Sequence, residues 1–183
     1  MLSKFIIAGV ITTAIIASTA QIAFPPKPIL LYNPSPSAAI GFYKLSKDKA
    51  PKIGSQVAAY APEWARLMAD ERGYLPYDYP LIKLVVAVGG DEICYHKSGV
   101  SVPNGAVIPV LGRDHSGREM PAQSGCSGLK PDEYFIASPD VQAGFDSRYF
   151  GPVRIENILG TVEFLGKSKN AQSWKSSENG GFE

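Results

Sequence analysis

Charge of either sign is scarce in this chain and almost balanced. Charged residues make up 19% of the 183, with 18 Lys+Arg against 17 Asp+Glu. No basic field is available to neutralise a phosphate backbone, which excludes nucleic acid as the expected partner. Cysteine and histidine are scarcer still, at two each. Cys94 and Cys126 are too far apart for a local CxxC motif. His96 and His115 sit in polar stretches without metal-ligand spacing, so no metal and no cofactor is expected. Long helical periodicity is also missing. With Gly 18 and Pro 15, the chain reads as short strands and turns, and no internal repeat is visible.

What the chain does have is one long uncharged run. Phe5 to Phe24, FIIAGVITTAIIASTAQIAF, is 20 residues, or about 30 Å as a helix, which matches a bilayer core. Thr12, Thr13, Ser18, Thr19 and Gln21 make it less apolar than a typical span. Two readings stand: a retained N-terminal transmembrane anchor, which we favour, or a cleavable signal segment, since Ser18-Thr19-Ala20 offers small residues in the right pattern. Either one exports the rest of the chain, and an oxidising compartment suits two cysteines. These form a single structural disulfide or remain as two buried thiols.

The expected division is 1–26 as membrane anchor or signal segment, 27–165 as a folded domain, and 166–183 as a polar, disordered tail. After a proline-rich stalk, GFYKL reads as a strand. PEWARLMADERGY reads as the one clear helix, with Trp64, Leu67 and Met68 at helical spacing and Gly73 as its stop. LIKLVVAVGGDEICYH is the strongest strand, broken by a turn at Gly89-Gly90-Asp91. Residues 97–128 suit short hairpins. EYFIAS reads as a strand and YFGPVRIENILGTVEFL as one or two more. The expected fold is therefore mostly β with one short helix, behind an N-terminal transmembrane helix.

Three stretches carry candidate chemistry. Lys83 lies in a strand whose two alternating faces are both apolar. Burial there favours the neutral amine, which can take a proton from a serine hydroxyl; the alternative is an edge lysine that blocks aggregation. In NPSPSAAIGFYKL, Ser35 and Ser37 point the same way if the backbone is extended. Ser37 would then be a nucleophile, with its own N–H and the Ser35 hydroxyl facing an oxyanion; the alternative is plain turn chemistry. In FDSRYFGPV, Asp146 and Arg148 would share a face of an extended segment. They would act as a structural ion pair or hold the lysine in place.

These pieces, in this order, resemble the signal peptidase I superfamily, and within it the conjugative transfer peptidases of the TraF type. The resemblance covers roughly 32–165. It rests on Asn33-Pro34-Ser35-Pro36-Ser37 followed by Gly41-Phe42-Tyr43, on Lys83 to Val88 followed by Gly89-Gly90-Asp91, and on Asp146-Ser147-Arg148-Tyr149-Phe150-Gly151. Arg72-Gly73-Tyr74-Leu75, Asp114-His115-Ser116-Gly117-Arg118 and the two cysteines are also similar to that branch. The pattern departs from the family at Ala39, at Leu84, and at Gly144, where leader peptidases often carry a serine that touches the lysine.

The resemblance implies a signal-peptidase-like β domain in two connected regions. It implies a Ser/Lys serine endopeptidase: Ser37 as nucleophile, Lys83 as general base, Ser35 in the oxyanion hole, Asp146 orienting the site and Arg148 supporting it. The implied partner is a membrane-tethered precursor protein, foremost a conjugative pilin to be matured or cyclised. The implied location is the bacterial inner membrane, with the catalytic domain facing the periplasm. Ser37 lies 13 residues beyond Phe24, so it stays close to the bilayer. The alternatives are a general leader peptidase and a non-catalytic anchored component of a conjugation channel. A Ser-His-Asp hydrolase using His96 or His115 is the weakest of them, because neither histidine lies in a recognisable motif.

Overall fold

The β-branched, turn-punctuated segments pair into two antiparallel sheets in the computed structural model. The structure describes residues 29–46 and 50–167, and parts of the stretch 6–19. Most of the expected anchor over 1–26 and most of the expected tail over 166–183 lie outside the described residues. At the described N-terminal positions the backbone is helical. Among the described residues no helix is long and apolar enough to cross a membrane.

The larger sheet has seven strands: β1 (Leu30–Asn33), β2 (Gly41–Leu45), β3 (Gln56–Ala59), β4 (Leu81–Ala87), β9 (Glu133–Ala137), β10 (Val153–Arg154) and β11 (Ile158–Gly166). Their spatial order is β1-β2-β11-β3-β4-β9-β10. The smaller sheet has four: β5 (Glu92–His96), β6 (Gly99–Ser101), β7 (Val107–Pro109) and β8 (Gly125–Gly128), in the order β7-β6-β5-β8. The Gly89-Gly90-Asp91 turn carries the chain from β4 into β5, so one continuous apolar segment seeds both sheets. His96 is thus the last residue of a strand rather than part of a loop, and its Nε2 lies 3.0 Å from Ser101 Oγ.

β4 is an interior strand, with β3 on one side and β9 on the other. That removes the edge-strand reading of Lys83. Its side chains enter different clusters: Val85 packs with Val57, Ile136 and Ile158, whereas Ile82 packs with Tyr43, Ala58 and Val162. Burial on both faces is what the unbroken apolar run requires.

β11 is long enough to pair with both β2 and β3, and it does so through two irregularities, at Ile158/Gly160 and Phe164/Gly166. Such bulges bend and twist a sheet. Gly160 sits at φ +156, and a Cβ there would collide with the Ser46 carbonyl. The glycine permits a close backbone approach at the bend that no other residue allows.

Helix α1 (Glu63–Glu71) begins after Pro62 and stops at Gly73, whose φ is +70. Its buried face differs from the sequence expectation. Ala65 and Ala69 face the core, Met68 is half-buried, and Trp64 and Leu67 are exposed. The small alanines let the helix lie close against the sheet, which rotates the two large side chains outward.

The FDSRYF segment also departs from expectation. It is not extended. Ser147–Phe150 forms a four-residue helix, α2, with Asp146 as its N-cap, accepting from the Arg148 N–H. Asp146 and Arg148 meet through this cap geometry rather than through strand alternation.

Candidate active site

Asn33 builds the loop that carries both candidate serines. It ends β1 almost fully buried. Its Nδ2 donates to the carbonyls of Ser35 (2.8 Å), Ala39 (3.2 Å) and Ala38 (3.3 Å), and its Oδ1 accepts from the Ser35 N–H. One side chain thus satisfies the backbone of an irregular turn in place of a strand partner. Ser35 and Ser37 therefore sit in a turn, not in extended backbone. They still face each other: Ser35 Oγ donates to Ser37 Oγ at 3.0 Å, and the Ser37 N–H donates to Ser35 Oγ at 3.3 Å. The groups expected to hold an oxyanion are hydrogen-bonded to one another in this state.

Lys83 is 2% exposed. Burial pushes its pKa down from about 10.5 to about 8; the Asp146 carboxylate pulls it up, and the Arg148 guanidinium pushes it down further. Lys83 Nζ donates to Ser138 Oγ at 3.0 Å, and Ser138 Oγ donates to the Ser37 carbonyl at 2.8 Å. No hydrogen bond joins Lys83 Nζ directly to Ser37 Oγ, although both line one cavity of about 320 Å³. Catalytic contacts are often longer before substrate binds than during the reaction.

The chemistry of this chain of groups is specific. The single Ser138 hydroxyl proton is committed to the Ser37 carbonyl, so towards Lys83 its oxygen can only accept. A neutral amine that spends one N–H on Ser138 keeps its lone pair free. That lone pair is what a general base needs, and it lies beside the Ser37 loop.

Ser138 is the residue that sequence reading missed. It directly follows β9, whose register places Leu84 opposite Ala137 and Val85 opposite Ile136. Continuing that register sets Ser138 opposite Lys83. The position where a lysine partner was sought, Gly144, has no room for a side chain unless the Arg148–Asp146 pair shifts. A Cβ there would lie 2.8 Å from an Arg148 terminal nitrogen and 3.2 Å from Asp146 Oδ2.

Asp146 and Arg148 are both inaccessible to solvent and fully engaged. Asp146 Oδ1 accepts from Arg148 Nε (2.8 Å) and from the Arg148 N–H; Oδ2 accepts from an Arg148 terminal nitrogen (2.8 Å) and from the Ser138 N–H at 3.0 Å. Arg148 also donates to the carbonyls of Pro109, Val141, Gln142 and Gly144. Arg148 therefore ties the 139–145 loop and β7 to α2, and Asp146 fixes the backbone from which Ser138 projects. A buried pair of this kind is costly to desolvate and is held by complete hydrogen bonding.

The outer wall of the 320 Å³ cavity comes from the 111–120 segment, including His115. That segment turns around Asp114, which accepts from Arg118 Nε at 2.7 Å and from the N–H groups of Ser116 and Arg118. The Tyr74 hydroxyl donates to the same carboxylate. Burial raises the Asp114 pKa, but these hydrogen bonds outweigh it and hold the carboxyl well below the usual range. The Arg72–Tyr74 and Asp114–Arg118 motifs are thus two halves of one cleft wall.

Cys94 and Cys126 lie directly opposite each other on β5 and β8 and are disulfide-bonded. The one metal-sized cluster of donors among the described residues, Glu92 with these two cysteines, is therefore no metal site, because both sulfurs are spent on the bond.

A serine loop, a buried lysine of lowered pKa and a capped Asp/Arg pair, all set on a bent antiparallel sheet, are the groups that the resemblance to signal peptidases singled out. The sequence comparison agrees: the profile of signal peptidase, peptidase S26, matches residues 2–166. The chain belongs to the signal peptidase family. It is similar to a probable conjugal transfer protein TraF of Sinorhizobium fredii, 34% identical over 143 residues, covering 72% of this chain and 73% of the relative. It is also similar to a plasmid transfer protein TraF of Escherichia coli, 33% identical over 142 residues, covering 71% of this chain and 78% of that one.

Proposed function

We propose that this chain is a serine endopeptidase of the Ser/Lys type that processes exported precursor proteins in conjugative transfer, a pilin subunit foremost. Lys83, neutral, takes the proton of Ser37 as Ser37 Oγ attacks the scissile carbonyl. The Ser37 N–H and the Ser35 hydroxyl turn from one another to the oxyanion. Lys83 then returns the proton to the leaving amine, and the Ser37 acyl ester is resolved by a second nucleophile. Asp146, through Ser138, holds Lys83 in register, and Arg148 holds the loop that carries both. The long uncharged run at 5–24 anchors the chain in the bacterial inner membrane, which keeps Ser37 near the periplasmic surface where tethered precursors emerge.

The observation that carries this reading is the hydrogen-bonded path Lys83–Ser138–Ser37 carbonyl, whose three residues line one cavity of about 230 Å³ while Ser37 and Lys83 also line the 320 Å³ cleft. A channel component with no chemistry has no use for a desolvated amine beside a serine. The test is co-expression with candidate pilin precursors, read by intact mass. Wild type converts the precursor; Ser37→Ala and Lys83→Ala each abolish conversion while the chain still accumulates folded. Processing that persists in Ser37→Ala contradicts the reading.

A further inference from the structure

A separate cavity of about 310 Å³ includes neither Ser37 nor Lys83 among its lining residues. It forms where the end of β5 meets the 110–112 and 120–124 segments, with Arg148 and Tyr149 of α2 completing it. Its volume is close to that of the 320 Å³ cleft, and the two adjoin: Leu111, Met120 and Tyr149 line both. This shared wall is fastened from two sides. The Leu111 N–H donates to the Tyr149 hydroxyl at 3.0 Å, and Gln123 Nε2 donates to the Tyr149 carbonyl at 3.3 Å.

The charge of this cavity is one-sided. No aspartate or glutamate lines it. Arg148 is buried and spent on Asp146 and on backbone carbonyls, so it offers a ligand no unpaired charge. Lys97 differs. It is exposed and lies outside every ion pair among the described residues. The imidazole of His96, also exposed, neighbours it in the lining, and Val110, Leu111 and Met120 supply apolar wall.

A pocket of this size with apolar walls and few polar groups suits a small part of a larger ligand. One unpaired ammonium suits one carboxylate. A phosphate ester, with more than one negative charge, is ordinarily held by several cations or by a fork of guanidinium donors, and no such set lines this cavity. The wall shared with the cleft favours one extended chain that occupies both.

We infer that the 310 Å³ cavity is a docking site for an acidic side chain, flanked by apolar residues, on the precursor whose cleavage site lies in the adjoining cleft, with Lys97 as its counter-charge. This rests on the peptidase reading. The site adds affinity and selectivity away from the chemistry and takes part in no bond-breaking step.

The first experiment measures binding alone. The full chain in detergent carries Ser37→Ala, so that the probe is not consumed. The probes are acetyl-Ala-Leu-Glu-Leu-Ala-amide and its counterpart with glutamine in place of glutamate. NMR titration gives affinity and location together. The glutamate probe binds about two- to fivefold more tightly than the glutamine probe, the worth of an exposed charge pair, and shifts the backbone amides of Lys97, Gln123 and Ser124. Lys97→Met removes that preference, Lys97→Glu reverses it and Lys97→Arg keeps it. The second experiment measures cleavage of a precursor that the wild-type chain processes: Lys97→Glu raises KM about two- to fivefold or more and leaves kcat unchanged.

Equal affinity for the two probes overturns the inference. So do amide shifts confined to the Ser37 loop, and so does an unchanged KM in Lys97→Glu; the peptidase reading survives all three. Absence of cleavage in wild type overturns the peptidase reading and, with it, the assignment of the docked chain as a precursor.

Discussion

At the scale of single residues, two side chains join in the buried hydrogen bond at the centre of the candidate site, and only one was legible. Lys83 announced itself because an ammonium amid apolar neighbours on both strand faces needs a reason. Ser138 did not, because its meaning comes from strand register across 55 residues of sequence, and one strand alone does not show its partner. Removing the Ser138 hydroxyl should leave Lys83 and the Ser37 carbonyl each short of a buried hydrogen bond. Such a loss is worth about 1–3 kcal/mol, so Ser138→Ala should lower kcat about ten- to a hundredfold in steady-state cleavage assays, with KM little changed. The lysine also leaves a thermodynamic trace. Its folded pKa, about 8, lies below its ordinary value near 10.5. Between those two pH values the unfolded chain holds a proton that the native chain lacks, so Lys83 makes stability rise with pH across that window. Lys83→Met should remove this slope in urea melts and stabilise the protein by roughly 3 kcal/mol below pH 8 relative to its effect above 10.5.

At the scale of elements, the strands were readable and the faces were not always so. The runs that became β2, β4, β5 and β9 showed β-branched or aromatic residues between turn-forming residues. Helix α1 was visible too, but its buried face was misjudged, because hydrophobicity favoured Trp64 and Leu67 while close packing selected Ala65 and Ala69. The FDSRYF segment was weighed only for the case that it is extended, whereas it forms a short helix with Asp146 as its cap. β8 buries little of its own: four exposed residues, two of them glycine, held to β5. Its disulfide closes a loop with a sequence separation of 32, worth about 3–4 kcal/mol in the chain-entropy account. Replacing Cys94 and Cys126 together with serine should therefore lower Tm by several degrees in a calorimetric scan. It should also raise KM, because the 111–120 cleft wall lies in the connection that ends at β8.

At the scale of the whole molecule, the site is assembled from segments that the strand order keeps apart. Two strands, β11 and β3, stand between β2, which follows the Ser37 loop, and β4, which carries Lys83. The bulges of β11 and the close approach at Gly160 bend the sheet between those strands. No local pattern in the sequence specifies such curvature, which is why the motifs were legible and their meeting was not. The central claim is that this assembly lowers the pKa of an amine beside Ser37 far enough for a substantial neutral fraction to exist near physiological pH. Its most direct measurement is the NMR titration of the Lys83 side chain in the full-length protein, assigned by comparison with Lys83→Met. The account predicts a midpoint near 8, well below the other lysines; a Lys83 that titrates with the exposed lysines near 10.5 would contradict it.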